Sequence, residues 1–181
     1  MKVPKVSDVP PSAVRKTFDA AKKTTYLTID IPLSAQSKMR SLSAAAKSSD
    51  GEIDITFRLE YKGVSASDLS AAQMSISFLR SRGSVEKLLV DNSVEVQADA
   101  YQFSYPDAAH ETEQLTFNDG GASAAAPPLT KERVTIKLLP EDLQQIAFAN
   151  RLDIKIGKEE IRVSSIQLAE LRKTLLSYNA N

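Results

Sequence analysis

The chain has 181 residues, 42% of them hydrophobic and 25% charged, which is the composition of an ordinary soluble globular protein. Its 23 basic and 23 acidic residues balance, which argues against nucleic-acid binding, because such proteins usually carry a basic excess. The absence of cysteine excludes disulfides, thiolate nucleophiles and cysteine-based zinc sites.

The length favours a single domain over residues 1–181, since a chain of this size buries roughly 70% of the surface that its unfolded form exposes. No apolar run approaches the ~20 residues that span a bilayer. No signal peptide is visible at the start of the chain.

The first predicted element is a short helix or docked arm over residues 10–23, where apolar residues recur at helical spacing. Residues 26–33 alternate apolar and polar side chains and predict a half-buried strand, which Pro32 ends or marks as an edge. A Ser- and Ala-rich helix is expected over residues 34–49, before a turn at Asp50-Gly51.

The clearest strand covers residues 52–61, where apolar and polar side chains alternate without interruption. One solvent-exposed face and one apolar face are typical of an antiparallel sheet. Residues 74–78 repeat the pattern and predict the next strand.

Residues 88–90 and 94–96 flank Asp91-Asn92-Ser93 and predict a hairpin. The apolar phase then changes from even to odd positions after Ala100, which indicates a bulge or bend. Pro106 ends this strand. Residues 118–129 predict a flexible loop by composition.

The C-terminal part alternates over residues 134–138 as a strand, and Pro140 then opens a short helix. A second hairpin is predicted around Gly157-Lys158. The final helix has a capping box at its start, formed by Ser164 and Gln167.

No residues are assigned to catalysis, cofactor binding or metal binding. His110 lies among carboxylates in what reads as a polar connection between strands, so solvated charge explains it better than a metal site does. Paired carboxylates could support acid–base chemistry, but Glu52, Asp54 and Glu60 are also the expected solvent face of one strand.

Tyr101, Phe103 and Tyr105 are three aromatic residues at alternate positions of one strand, so their rings share a face. Such rings could stack on a sugar, a base or a peptide. They could instead cover a hydrophobic core. Both interpretations stay open, and the core is the favoured one.

Four short motifs follow one another along residues 74–178: a Val-Asp turn between strands, a Leu-Pro-Glu-Asp-Leu helix start, a strand ending in Ile-Gly, and a final helix with Gln-Leu-x-x-Leu-Arg. They stand here at residues 89–92, 139–143, 154–157 and 167–172, with Asn92 at the usual glycine position. In these motifs residues 74–178 resemble uncharacterised, often exported bacterial proteins. The resemblance implies a periplasmic or secreted location, with the signal peptide absent from this chain, and it assigns no catalytic residue.

The sequence therefore predicts an α+β protein with a mostly antiparallel, curved β-sheet and a C-terminal helix packed on its apolar face. The alternative is a β-sandwich with peripheral helices. The leading functional hypothesis is a non-enzymatic binding or structural module of the bacterial cell envelope, with a protein or carbohydrate partner and no cofactor. The alternative is a carboxylate-based enzyme or small-ligand carrier.

Overall fold

The computed structural model describes residues 13–33, 53–64, 68–81, 93–115, 129–157 and 159–179. Strands dominate these ranges and every strand pair is antiparallel, which confirms the predicted sheet-rich α+β class. The elements are, in chain order, β1 (Ala13–Asp19), β2 (Thr24–Leu33), β3 (Ile53–Lys62), β4 (Asp68–Ser81), β5 (Val94–Ala98), β6 (Tyr101–Tyr105), β7 (Ala109–Leu115), β8 (Leu129–Leu138), α1 (Pro140–Phe148), β9 (Arg151–Ile156), β10 (Glu159–Ser164) and α2 (Ala169–Asn179).

The strands form two open sheets where the sequence predicted one. The six-stranded sheet has the order β1-β2-β3-β4-β8-β7, and the four-stranded sheet has the order β10-β9-β5-β6. The chain crosses from one sheet to the other after β4, after β6 and after β8. Both sheets therefore contain strands from distant parts of the sequence.

The core follows the alternation seen in the sequence. In β3, Ile53, Ile55, Phe57, Leu59 and Tyr61 are at most 5% exposed, and the side chains between them face the other side of the sheet. Full burial of one such large apolar side chain stabilises the fold by about 1.5–3 kcal/mol. Apolar residues of both sheets and both helices belong to one buried cluster. We call the apolar side of the six-stranded sheet its inner face and the polar side its outer face.

Helix α1 begins where the sequence indicated, and helix α2 begins one turn later. Pro140 opens α1, which buries Leu143, Ile146 and Ala147. The predicted capping box forms: the Ser164 N–H donates to Gln167 Oε1 at 2.9 Å, and the Gln167 N–H donates to Ser164 Oγ at 3.4 Å. The box closes the turn over residues 165–168, so α2 starts at Ala169, one turn later than expected. No helix in the described part of the chain is both long and apolar enough to cross a membrane.

The helix predicted over residues 10–23 is wrong, because this segment contains β1 and a turn. Val14 and Phe18 are each 44% exposed, so their spacing did not mark a buried helix face. β1 is the edge strand of the six-stranded sheet and pairs with β2 along its whole length, which satisfies the backbone groups that point toward β2. Asp19 Oδ1 accepts hydrogen bonds from the N–H groups of Ala21 and Lys22 and fixes the turn.

The hairpin predicted between residues 88–90 and 94–96 is also wrong. Every residue of β5 already pairs with β6 on one side and with β9 on the other, so neither edge is open to a further strand. The change of phase after Ala100 is a chain reversal rather than a bulge. Ala98 pairs with Tyr101 across a two-residue turn in which Asp99 has φ 51°, and such a turn brings an even and an odd position to the same face.

The remaining strand predictions are confirmed by β2, β3, β4, β8 and the β9–β10 hairpin, and β6 ends before Pro106 as expected. Pro32 lies opposite Asp54 of β3, one residue before the end of β2 at Leu33. The helix predicted over 34–49 and the loop predicted over 118–129 lie outside the described residues, except that Leu129 begins β8.

Candidate functional site

A groove of about 760 Å³ crosses the outer face of the six-stranded sheet. Each of the six strands contributes at least one lining side chain. Side chains on paired strands are held in place by the backbone ladder, so the groove is a more rigid platform than a loop-built site.

The strand register arranges the lining side chains in rows that run across the strands. The middle row has short side chains and forms the floor: Asp30, Thr56, Ser75, Thr135 and Ala109. The row on one side, the first wall, consists of Arg15, Thr28, Arg58 and Gln73. The row on the other side, the second wall, consists of Pro32, Asp54, Ser77, Arg133 and Glu111. Five of the nine wall residues have longer side chains than any floor residue: Arg15, Arg58, Gln73, Arg133 and Glu111.

Hydrogen bonds between side chains fix the floor. Asp30 accepts from Arg15 Nη2 at 2.8 Å and from Thr56 Oγ1 at 2.9 Å. The hydroxyls of Ser75 and Thr135 are 2.9 Å apart and hydrogen-bonded to each other. The floor is therefore ordered along most of its length before any ligand arrives.

The charges of the groove nearly cancel. Its described lining has four basic residues, Arg15, Arg58, Lys131 and Arg133, and three acidic ones, Asp30, Asp54 and Glu111. Arg15 pairs with Asp30, and Arg133 lies 3.6 Å from Glu111. Such exposed pairs add at most about 1 kcal/mol to stability, so they balance charge more than they hold the fold.

The aromatic strand face predicted as a possible ligand surface belongs to β6, at the edge of the four-stranded sheet. Tyr101 is 54% exposed, whereas Phe103 and Tyr105 are partly buried against the hydrophobic cluster. The three rings lie on the side of the sheet that carries the buried residues of β5. None of them lines the groove.

Tyr105 has a specific polar partner. Its hydroxyl donates to Asp142 Oδ2 of α1 at 2.7 Å, and Asp142 is 9% exposed. Burial, together with this bond to the carboxylate, raises the pKa of the Tyr105 hydroxyl far above its ordinary value. The residue therefore links β6 to α1, a structural role that the spacing of the aromatic residues did not reveal.

His110 lies in β7, not in a connection between strands, so that part of the prediction is wrong. Its side chain is 8% exposed, and its Nε2 atom is 3.8 Å from Glu132 Oε1, another nearly buried group. Both residues are at inner-face positions, away from the groove. Nε2 has no hydrogen-bond partner among the described residues. Within this same part of the chain, no three His, Asp or Glu side chains are grouped so as to hold a metal ion.

The carboxylates proposed for acid–base chemistry are dispersed. Asp54 and Glu60 lie on the outer face of β3 as expected, but only Asp54 lines the groove. A further carboxylate, Asp99 in the β5–β6 turn, accepts hydrogen bonds from the N–H groups of Asn150 and Arg151 at 2.9 and 3.0 Å, which lowers its pKa. It fastens the β5–β6 turn to the start of β9. Glu52 lies outside the described residues.

The sequence did not predict the groove. Its floor combines residues from β2, β3, β4, β7 and β8, and which of them become neighbours depends on the register of strands far apart in the chain. The one available signal was the short hydroxyl side chain at alternate positions of β4, at Ser75 and Ser77.

Comparison with known proteins gives no match: no family model, no curated protein and no solved structure matches the chain. The resemblance of residues 74–178 to exported bacterial proteins stays a prediction, and the functional argument depends on the geometry of the site.

Proposed function

We propose that the protein is a non-enzymatic binding module whose ligand occupies the groove of the six-stranded sheet. The observation that carries this proposal is the groove itself, about 760 Å³ in volume and lined by side chains from all six strands. Its volume falls in the range of about 300–1,000 Å³ that is usual for ligand sites. Its ordered hydroxyls and balanced charges suit a polar ligand.

The finer packing of the fold is part of the same proposal. We propose that the C-terminal helix α2 covers the inner face of the six-stranded sheet and leaves the outer face open. The Tyr178 ring of α2 lies 5.4 Å from the Tyr61 ring of β3, and Leu168, Leu171 and Leu175 are buried. These contacts support a helix on the inner face. A location in the bacterial cell envelope is proposed with it, on the strength of the resemblance over residues 74–178.

The competing function, a carboxylate-based enzyme, has one observation in its favour. Asp30 and Asp54 stand at diagonal positions of β2 and β3 within the groove. Diagonal neighbours have Cα atoms about 7–8 Å apart, so both carboxyl groups are carried on the same groove, and hydrolases of one class use two carboxyl groups in this way. Asp30 already accepts hydrogen bonds from Arg15 and Thr56, one on each carboxylate oxygen, and this engagement within the protein opposes a catalytic role.

A ligand screen with a blocked groove tests the proposal. Ser75→Trp places a bulky ring on the floor, and Gln102→Trp places the same ring on the exposed edge strand β6, outside the groove. Thermal melts are recorded against neutral and anionic oligosaccharides, short polar peptides, nucleotides, divalent metals and lipid vesicles. A ligand at about 100 times its Kd adds about 2.7 kcal/mol, which should raise the melting temperature by roughly 5–10 °C.

The expected result is a ligand that stabilises the unmodified protein and Gln102→Trp but has no effect on Ser75→Trp. If Ser75→Trp does not fold, Thr135→Tyr serves as the second blocking variant. A ligand that stabilises all three proteins equally would place the site elsewhere. A screen without any stabilising ligand would also count against a binding module.

A further inference from the structure

The floor of the groove runs across the strands rather than along them. From Asp30 in β2 to Ala109 in β7 it passes over five neighbouring strands. Strands lie about 4.8 Å apart, so this path is roughly 19 Å long. A site of this length and with walls on both sides fits a linear chain better than a compact metabolite.

The charges of the groove argue against a strongly charged ligand. The carboxylate of Asp30 is already bound by Arg15, and Glu111 lies beside Arg133. An anionic polymer would meet three carboxylates, and a cationic one would meet four basic groups. A neutral chain can bind without breaking either ion pair.

The polar groups left over in the groove are uncharged donors and acceptors. Thr28, Gln73 and Ser77 line the groove and make no side-chain hydrogen bond with any described residue. A hydroxyl donates one hydrogen bond and accepts two, and an amide side chain donates and accepts as well. These capacities match a ligand whose own groups are hydroxyls.

The described lining of the groove lacks large apolar side chains that could anchor a peptide. Peptide and protein partners are usually anchored by large apolar or aromatic side chains in fitted pockets, and the apolar lining residues here are Pro32 and Ala109. A peptide lying across the strands also cannot extend the backbone ladder of the sheet. The chemistry of the walls therefore favours a sugar chain.

We infer that the ligand of the groove is a linear, neutral oligosaccharide held by hydrogen bonds along the floor. This inference rests on the proposed function, because it assigns the chemical class of the ligand to the same groove. Several sugar units lie side by side across the sheet, and each is bound by short hydroxyl and amide side chains.

Isothermal titration with defined oligosaccharides tests this inference. The neutral probes are maltohexaose, cellohexaose, xylohexaose and mannohexaose, with the dimer and tetramer of whichever hexamer binds. The charged probe is hexagalacturonate, and the peptide probe is a neutral Gly-Ser hexapeptide. The proteins are the unmodified chain, Ser75→Trp, Gln102→Trp, Gln73→Ala and Ser77→Ala.

We expect one neutral hexamer to bind, with an affinity that increases from dimer to hexamer. Gln73→Ala and Ser77→Ala should each weaken binding by roughly 2- to 10-fold, the loss of one hydrogen bond. Ser75→Trp should abolish binding, and Gln102→Trp should bind normally.

The other outcomes separate the two proposals. Tighter binding of hexagalacturonate or of the peptide, still abolished by Ser75→Trp, would overturn the neutral-sugar inference and keep the groove as a binding site. Sugar binding that survives Ser75→Trp would overturn both. New reducing ends after incubation, lost in Asp54→Asn, would replace the binding module with the carboxylate-based enzyme.

Discussion

The hydrogen bond between Tyr105 and Asp142 provides a quantitative test of the fold, because Tyr105→Phe removes a single oxygen. In this variant the nearly buried Asp142 carboxylate loses the hydroxyl that donates to it at 2.7 Å, while the ring keeps its place against the cluster. A hydrogen bond to a charged group contributes about 1.5–3 kcal/mol. We therefore expect the free energy of unfolding to fall by about 2 kcal/mol.

The assay is urea unfolding followed by circular dichroism, with thermal melts in parallel. For a protein of this size the loss should lower the melting temperature by roughly 4–8 °C. Tyr101→Phe is the matched control, because Tyr101 is 54% exposed on the same strand and should change stability by less than about 0.5 kcal/mol.

A double-mutant cycle isolates the interaction. In an Asp142→Asn background the acceptor is neutral, so Tyr105→Phe should cost less, about 0.5–1.5 kcal/mol. Equal losses in the two backgrounds, or equal losses for Tyr101→Phe and Tyr105→Phe, would refute the argument that the buried carboxylate depends on this hydroxyl.

Three further predictions concern the core, the charges and the last helix. Phe57→Ala should destabilise the protein by about 3–5 kcal/mol in urea, since Phe57 is fully buried in a central strand, whereas a cost below that of an exposed substitution would contradict the packing. Burial raises the pKa of Asp153, but hydrogen bonds from Arg151 and Arg162 outweigh it and lower the pKa below 3.8. The contribution of Asp153 to folding stability is therefore present above pH 3.8 and is lost as the pH falls through the lowered pKa. Acid unfolding of Asp153→Asn should lack this loss of stability, and an acid-unfolding profile identical to that of the unmodified protein would contradict the prediction. Removing every residue after Val163 should give a molten or insoluble chain, and a cooperative melt at the original temperature would show that α2 is dispensable.

The fold was predictable where a strand has one buried face. The alternation of residues 52–61 matched β3 because every second side chain enters the core. The same reasoning failed for β1, whose apolar residues Val14 and Phe18 are substantially exposed, so their spacing carried no information about a core. It also failed at Asp99-Ala100, because a bulge and a two-residue turn produce the same change of phase.

The candidate site was not predictable for a different reason. Ser75 and Thr135 become hydrogen-bonded neighbours although they are 60 residues apart in sequence. Their proximity depends on the register between β4 and β8, which is set by packing across the whole sheet. Polar alternation identified the solvent face of each strand, but only the assembled sheet shows which polar residues share a row.

The strand order has a consequence for how the chain reaches this state. β4 cannot meet β8 until the segment holding β5, β6 and β7 has been synthesised, and β5 must then wait for β9. The six-stranded sheet therefore stays incomplete until β8 has been made, and the four-stranded sheet stays incomplete until β10 has been made. Because such non-local pairings require closing long loops first, we expect folding on the scale of milliseconds to seconds. Neither sheet could be excised as an independent unit, so insertions that lengthen the crossover after β4 should slow refolding more than they lower stability.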